Sequence, residues 1–291
     1  MAIGLSLLSA LTTAGGVYAV VRLAAREHTI PARCGAGLVT VGARCCAPGQ
    51  AVSGRHCVGE PSSCPDDMHV AESRSGCVAD SKRVAYAGGH VALGAEDWQE
   101  DGVVVERAFT VGAFSLDTTE VTIERWDHCV RAGGCRAIDD VEPGAPVAGV
   151  DAKEAERFCR FDGGRLPTSD EWLFAATGTE GRRFPWGPTG LVCRRAVFGV
   201  ESGPCATGGG ADIAGARPDG QTPEGVLDLA GNVAEWTMER DGHAVARGGS
   251  YRSRAALELK TWAVETPTSA AAKAPHIGFR CAYGGSRPAP E

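Results

Sequence analysis

The residues with the most chemistry open to them are twelve cysteines in a chain of 291. A thiolate can act as a nucleophile, bind a soft metal or pair with a second thiol. Six cysteines lie between Cys34 and Cys77, and six between Cys129 and Cys281. Zinc sites show short paired spacings, yet no Cys-x-x-Cys occurs, and Cys45 and Cys46 are adjacent. An even number at irregular spacing points instead to disulfides and an oxidising compartment. The connectivity of the first six is not readable from their spacing. Histidine is the other metal-binding type. His28, His56, His69, His90, His128, His243 and His276 are scattered, with no two at helix-face spacing, and read as surface residues.

Groups of this kind need elements to hold them. Hydrophobic residues make up 43% and charged residues 22%, which excludes a disordered tail and a multi-span membrane protein. Lys plus Arg is 29 against 36 Asp plus Glu, a net charge of -7 with no basic stripe, so nucleic acid is excluded as the main partner. Glycine numbers 40, about twice ordinary usage, which predicts a loop-rich body. Residues 1–27 carry the uncharged run Ala2–Val21 and read as a signal peptide or a membrane anchor, the only membrane contact expected. Residues 28–83 form a cysteine-rich stretch with too few apolar residues for a core of its own. It reads as a disulfide-held spacer, with a small protein-binding module as the alternative. The main domain is expected over 84–284, followed by a disordered tail at 285–291.

Within that domain, Val103–Val105, Ala108–Val111 and Phe114–Val121 read as strands. A helix is expected over Val121–Ala132 and a second from Asp151, which has capping character. A third opens at Thr168, where Thr-x-x-Glu to Glu171 is a capping box. From Thr177 to Gly231 there is little periodicity, which predicts ordered loop fixed by cross-links or ions. Trp172, Trp186 and Trp236 are expected in the core, and Arg165 as the anchor of a buried loop. Gly248 and Gly249 suggest close packing or positive φ.

Eight motifs in order give these segments a resemblance. They are Gly88–Gly94, Asp117–Thr122, Pro146–Val150 with Ala155–Cys159, Gly164–Trp172, Phe184–Gly187, Gly231–Thr237, Arg247–Tyr251 and Gly278–Cys281. Together they resemble the formylglycine-generating, or sulfatase-modifying factor, family. The resemblance implies an α+β, C-type-lectin-like formylglycine-generating-enzyme fold with little regular structure. It pairs Cys159 with Cys281. From the residues alone, Cys129 and Cys135 look like a local bridge across Gly133-Gly134, and Cys193 and Cys205 like a loop staple.

The family's activity is oxygen-dependent oxidation of a substrate cysteine to formylglycine at a copper(I) held by two thiolates. Copper(I) selects soft sulfur ligands. Laid on this chain, the paired positions fall on Ser253 and Glu258, and neither side chain is a soft ligand. Ser250 is kept, while a pocket aromatic of the family is replaced by Ala234. Copper is therefore not expected, and Ser250, Ser253 and Glu258 form a degenerate pocket. A family calcium loop survives, since Asp228 and Glu235 would give carboxylates and Gly231 and Val233 carbonyls. The alternative is a turn whose acids cap nearby amides. The function expected is an exported, non-catalytic binding or scaffolding module for a protein or glycan ligand. The alternative is an oxidoreductase of the same family with an altered site.

Overall fold

The computed structural model describes residues 34–285 apart from 35, 42–43, 55, 67, 94–106, 140–141, 191–192, 202–204, 206–208 and 268. The N-terminal apolar segment, the strand expected at Val103–Val105 and the tail beyond residue 285 lie outside the described residues. The described residues belong to one compact unit spanning Ala32–Glu291.

Three two-stranded ribbons open the chain: β1 (Val39–Val41) with β2 (Arg44–Cys46), β3 (Ala51–Ser53) with β4 (His56–Val58), and β5 (Met68–Val70) with β6 (Cys77–Ala79). Disulfides Cys34–Cys45, Cys46–Cys57 and Cys64–Cys77 cross-link them. Isolated ribbons of three residues are marginal in water, and bridges over short loops limit the unfolded chain instead.

The body follows. Strand β7 (Arg83–Tyr86) pairs with β10 (Phe114–Asp117), which also pairs with β15 (Ala282–Tyr283), so the two ends of the body share a sheet. Strand β8 (Gly89–Leu93) pairs with β9 (Arg107–Val111). Helix α1 (Ile123–Arg131) is capped by Thr122 and buries Ile123, Trp126 and Cys129 along one stripe. Helices α2 (Ala152–Phe161) and α3 (Ser169–Thr177) start at full capping boxes, Asp151 with Glu154 and Thr168 with Glu171. A four-stranded sheet then runs in the order β13 (Val264–Glu265), β12 (Ala244–Arg247), β11 (Ala234–Met238), β14 (Ile277–Gly278), with β11 and β14 parallel.

Two apolar clusters fill the body. In one, Trp126 stacks on Phe158 at 5.5 Å, and Phe279 meets Phe158 edge-on at 5.6 Å, beside buried Trp236. In the other, Phe109, Phe114, Trp172 and Phe174 gather between β8–β9, β10 and α3. Trp186 is only half-buried. Disulfide Cys159–Cys281 joins α2 to the last strands across 122 residues, while Cys129–Cys135 and Cys193–Cys205 close short loops. Between α3 and β11 the described residues hold only one short 3-10 turn, Pro218–Gly220.

Two expectations about organisation need correcting. A boundary at residue 84 cuts through β7, whose Arg83 pairs with Asp117 in the body's sheet. The cysteine-rich stretch is also no free spacer, because charged groups of the body close around it. Arg44 Nη2 lies 3.2 Å from Glu142 and 3.5 Å from Asp212, all three buried. The Cys45 amide donates to Asp212, and the Cys57 amide to Glu142. Ile213 and Ala216 pack on Cys45, Leu38 and Met68.

Candidate functional site

The degenerate pocket residues stand close in sequence but are occupied by their own backbone. Tandem Gly248 and Gly249 turn the chain with φ of +90° and +65°, and a Cβ on Gly249 would strike the Glu258 carbonyl. The Ser250 amide donates to Ser253 Oγ at 3.0 Å. The Arg252 amide donates to Ser250 Oγ at 3.2 Å, and the Arg254 amide to Glu258 Oε2 at 3.0 Å. Ser250 and Ser253 are buried, whereas Glu258 is exposed on a 3-10 turn, Ala256–Leu259. These hydroxyls and the carboxylate thus serve as local caps. Among the described residues every cysteine is in a disulfide.

Residues 228–235 sit behind that turn. Asp228 takes φ of +59°, and its Oδ2 accepts the Gly215 amide at 2.6 Å. Glu235 Oε2 accepts Arg280 Nε at 2.7 Å and Trp172 Nε1 at 2.8 Å, and Oε1 accepts Arg280 Nη2 at 2.7 Å. Arg280 also donates to the carbonyls of Asp117 and Leu227, tying four segments together. The sequence did not single out Glu120, which joins the same cluster. Its side chain is wholly buried, Oε1 accepts Asn232 Nδ2 at 2.9 Å, and Oε2 lacks a partner of good geometry although the carboxyl lies within hydrogen-bonding reach of Asp228. Burial pushes the Glu120 carboxyl well above its ordinary range, and the Asp228 charge adds to the effect. Burial also raises Asp228.

The fit of calcium can be judged from that cluster. Three buried carboxylates face one guanidinium, and one carboxylate oxygen lacks a partner of good geometry. The charge balance suits a divalent cation. Carboxylates with loop carbonyls are hard donors of the right kind. Among the described residues no three His, Cys, Asp or Glu side chains converge as a metal group. An ion here would therefore draw on the carbonyls of Gly231 and Val233 beside Asp228 and Glu235, sharing Glu235 with Arg280.

The described surface also carries a cleft of about 490 Å³ where the cysteine-rich stretch meets the body. Arg44 and His56 line it from one side, and Ile123, Pro146, Tyr251 and Arg252 from the other. Sequence reasoning missed it because its walls lie more than sixty residues apart in the chain.

Fold and site together define a formylglycine-generating-enzyme fold in which no described cysteine is a free thiol. Residues 71–284 match the family model described as "Sulfatase-modifying factor enzyme 1-like domain", and the chain belongs to that family. It is 35% identical over 159 residues to the "Inactive C-alpha-formylglycine-generating enzyme 2" of Bos taurus, covering 49% of this chain and 52% of that protein. It is 32% identical over 197 residues to the "Formylglycine-generating enzyme" of Streptomyces coelicolor, covering 54% and 59%. The matches thus span little more than half the length of these relatives. The solved structure of PvdO from Pseudomonas aeruginosa shares the fold, with a TM-score of 0.54, 18% identity, and cover of 76% of this chain and 99% of that one.

Proposed function

We propose that the chain is an exported, non-catalytic binding module of the sulfatase-modifying factor family that presents the cleft between its cysteine-rich stretch and its body. One observation carries this reading: Ser253 and Glu258, at the positions of the family's thiol pair, are engaged in capping the turn they lie on. No side chain at either position can hold copper(I). Similarity to a relative named inactive supports the same direction. Six disulfides fit an oxidising, extracytoplasmic compartment. We further propose calcium as a structural ion at Asp228, Gly231, Val233 and Glu235, supported by the charge balance above. The test is a thiol count and metal analysis on protein folded under oxidising conditions. Zero thiols with no stoichiometric copper or iron is expected. Two free thiols, or one bound transition metal per chain, would overturn the reading in favour of an oxidoreductase with an altered site.

A further inference from the structure

Three histidine–carboxylate contacts cross the seam between the cysteine-rich stretch and the body. His56 Nδ1 lies 3.3 Å from Glu142, His128 Nε2 lies 3.2 Å from Glu72, and His69 Nε2 lies 2.8 Å from Glu124. The three are not equivalent. Glu142 already pairs with Arg44, and Glu72 with Arg131 at 3.0 Å, so each of those acids has an arginine partner besides its histidine. His69 is different. Its Nδ1 also faces Asp80 at 3.1 Å, so both ring nitrogens point at carboxylates. Among the described residues the cation paired with either acid is Lys82, 3.8 Å from Asp80. Glu124 is nearly buried and is fixed by the Glu72 amide, which donates to its Oε1 at 2.7 Å.

Only an imidazolium can donate from both nitrogens. A neutral ring has one N–H for two carboxylates, and the two anions then face each other across an uncharged spacer. We propose that His69 is a proton-dependent clasp holding the cysteine-rich stretch against helix α1, loosened when the imidazolium gives up its proton. The burial of His69 by itself would lower its pKa, but Glu124 and Asp80 outweigh that and hold it above the ordinary 6.5. The sign follows from the raised value. The clasp is fully present below about 6.5 and is lost as pH climbs through the folded-state value. The Arg44–Asp212–Arg217 contacts involve no histidine and keep the stretch attached, so loosening stays local.

The Glu72 amide is a built-in reporter. Hydrogen exchange on the full, disulfide-intact chain, corrected for intrinsic base catalysis, is compared at about pH 5.5 and about pH 8, either side of the histidine range. Protection of Glu72 should fall at the higher pH, by up to about tenfold for each unit by which folding raises the His69 pKa. His69→Gln should show low, pH-independent protection, while the exposed-site control His243→Gln should behave as the parent chain. Equal corrected protection of Glu72 in the parent chain at both pH values refutes the clasp, as does full pH dependence in His69→Gln.

Discussion

Replacing Arg280 by Met tests the account of the body most severely. The guanidinium is fully buried and makes four hydrogen bonds, two to the Glu235 carboxylate and one each to the Asp117 and Leu227 carbonyls. Met keeps part of the volume and removes every donor. Glu235, itself buried, is left charged with Trp172 Nε1 as its remaining donor. Breaking a buried pair from one side costs about 3–5 kcal/mol. Each orphaned carbonyl adds on the order of 1 kcal/mol or more, though contacts sharing one donor do not add fully. A loss of about 4–7 kcal/mol is comparable with the whole stability of many domains. Arg280→Lys retains the charge but not the fork, and should cost less than Met while remaining well above a surface substitution. Adding Glu235→Gln to Arg280→Met removes the stranded charge and should recover about 2 kcal/mol of the loss. Urea unfolding followed by tryptophan fluorescence, in EDTA and under oxidising conditions, reads all four proteins. A cost for Arg280→Met below about 1.5 kcal/mol, or a double variant no more stable than the single one, would refute the argument that this pair organises the loops.

Other perturbations follow from the same geometry. With calcium at about a hundredfold over its dissociation constant, the parent chain should gain about 2.7 kcal/mol and several degrees in Tm after EDTA dialysis, and Asp228→Ala should gain nothing. An unchanged parent melt removes the calcium proposal. Phe158→Ala empties the space between Trp126 and Phe279 and should cost about 3–5 kcal/mol by denaturant titration. For Glu154, burial acts upward, but Arg136, the Asp151 amide and Lys273 together hold its pKa down at about 2. Its contribution is therefore present above the ordinary carboxylate range and fades as pH falls towards about 2. The Tm gap between the parent and Glu154→Gln should shrink over that interval and be constant at higher pH.

What could be read in advance was mostly local. The capping boxes at Asp151 and Thr168 are fixed by residues three apart, and both formed. Arg165 met its expectation through a bidentate contact with Glu171 at 2.6 and 2.7 Å, only six residues on. The expectation that Ser253 and Glu258 replace a thiol pair rests on two side-chain identities alone. How Ser253 and Glu258 would be used instead was not visible, since that depends on a turn set by Gly248 and Gly249. Helix α1 starts two residues later than the apolar pattern suggested, because the Thr122 hydroxyl takes the cap. The long-range partners were hidden altogether. Nothing near Arg44 announces Glu142 or Asp212, and nothing near Glu120 announces Asn232.

The docking of the cysteine-rich ribbons sets the smallest portable piece of this protein. A truncation made at residue 71, where the family match begins, would delete Arg44 and the Cys45 and Cys57 amides. Glu142 and Asp212 would then lose their Arg44 and amide partners on that side, and Met68 would no longer cover Gly215. Anyone grafting the body onto another chain must carry the ribbons along or rebuild the underside they hide.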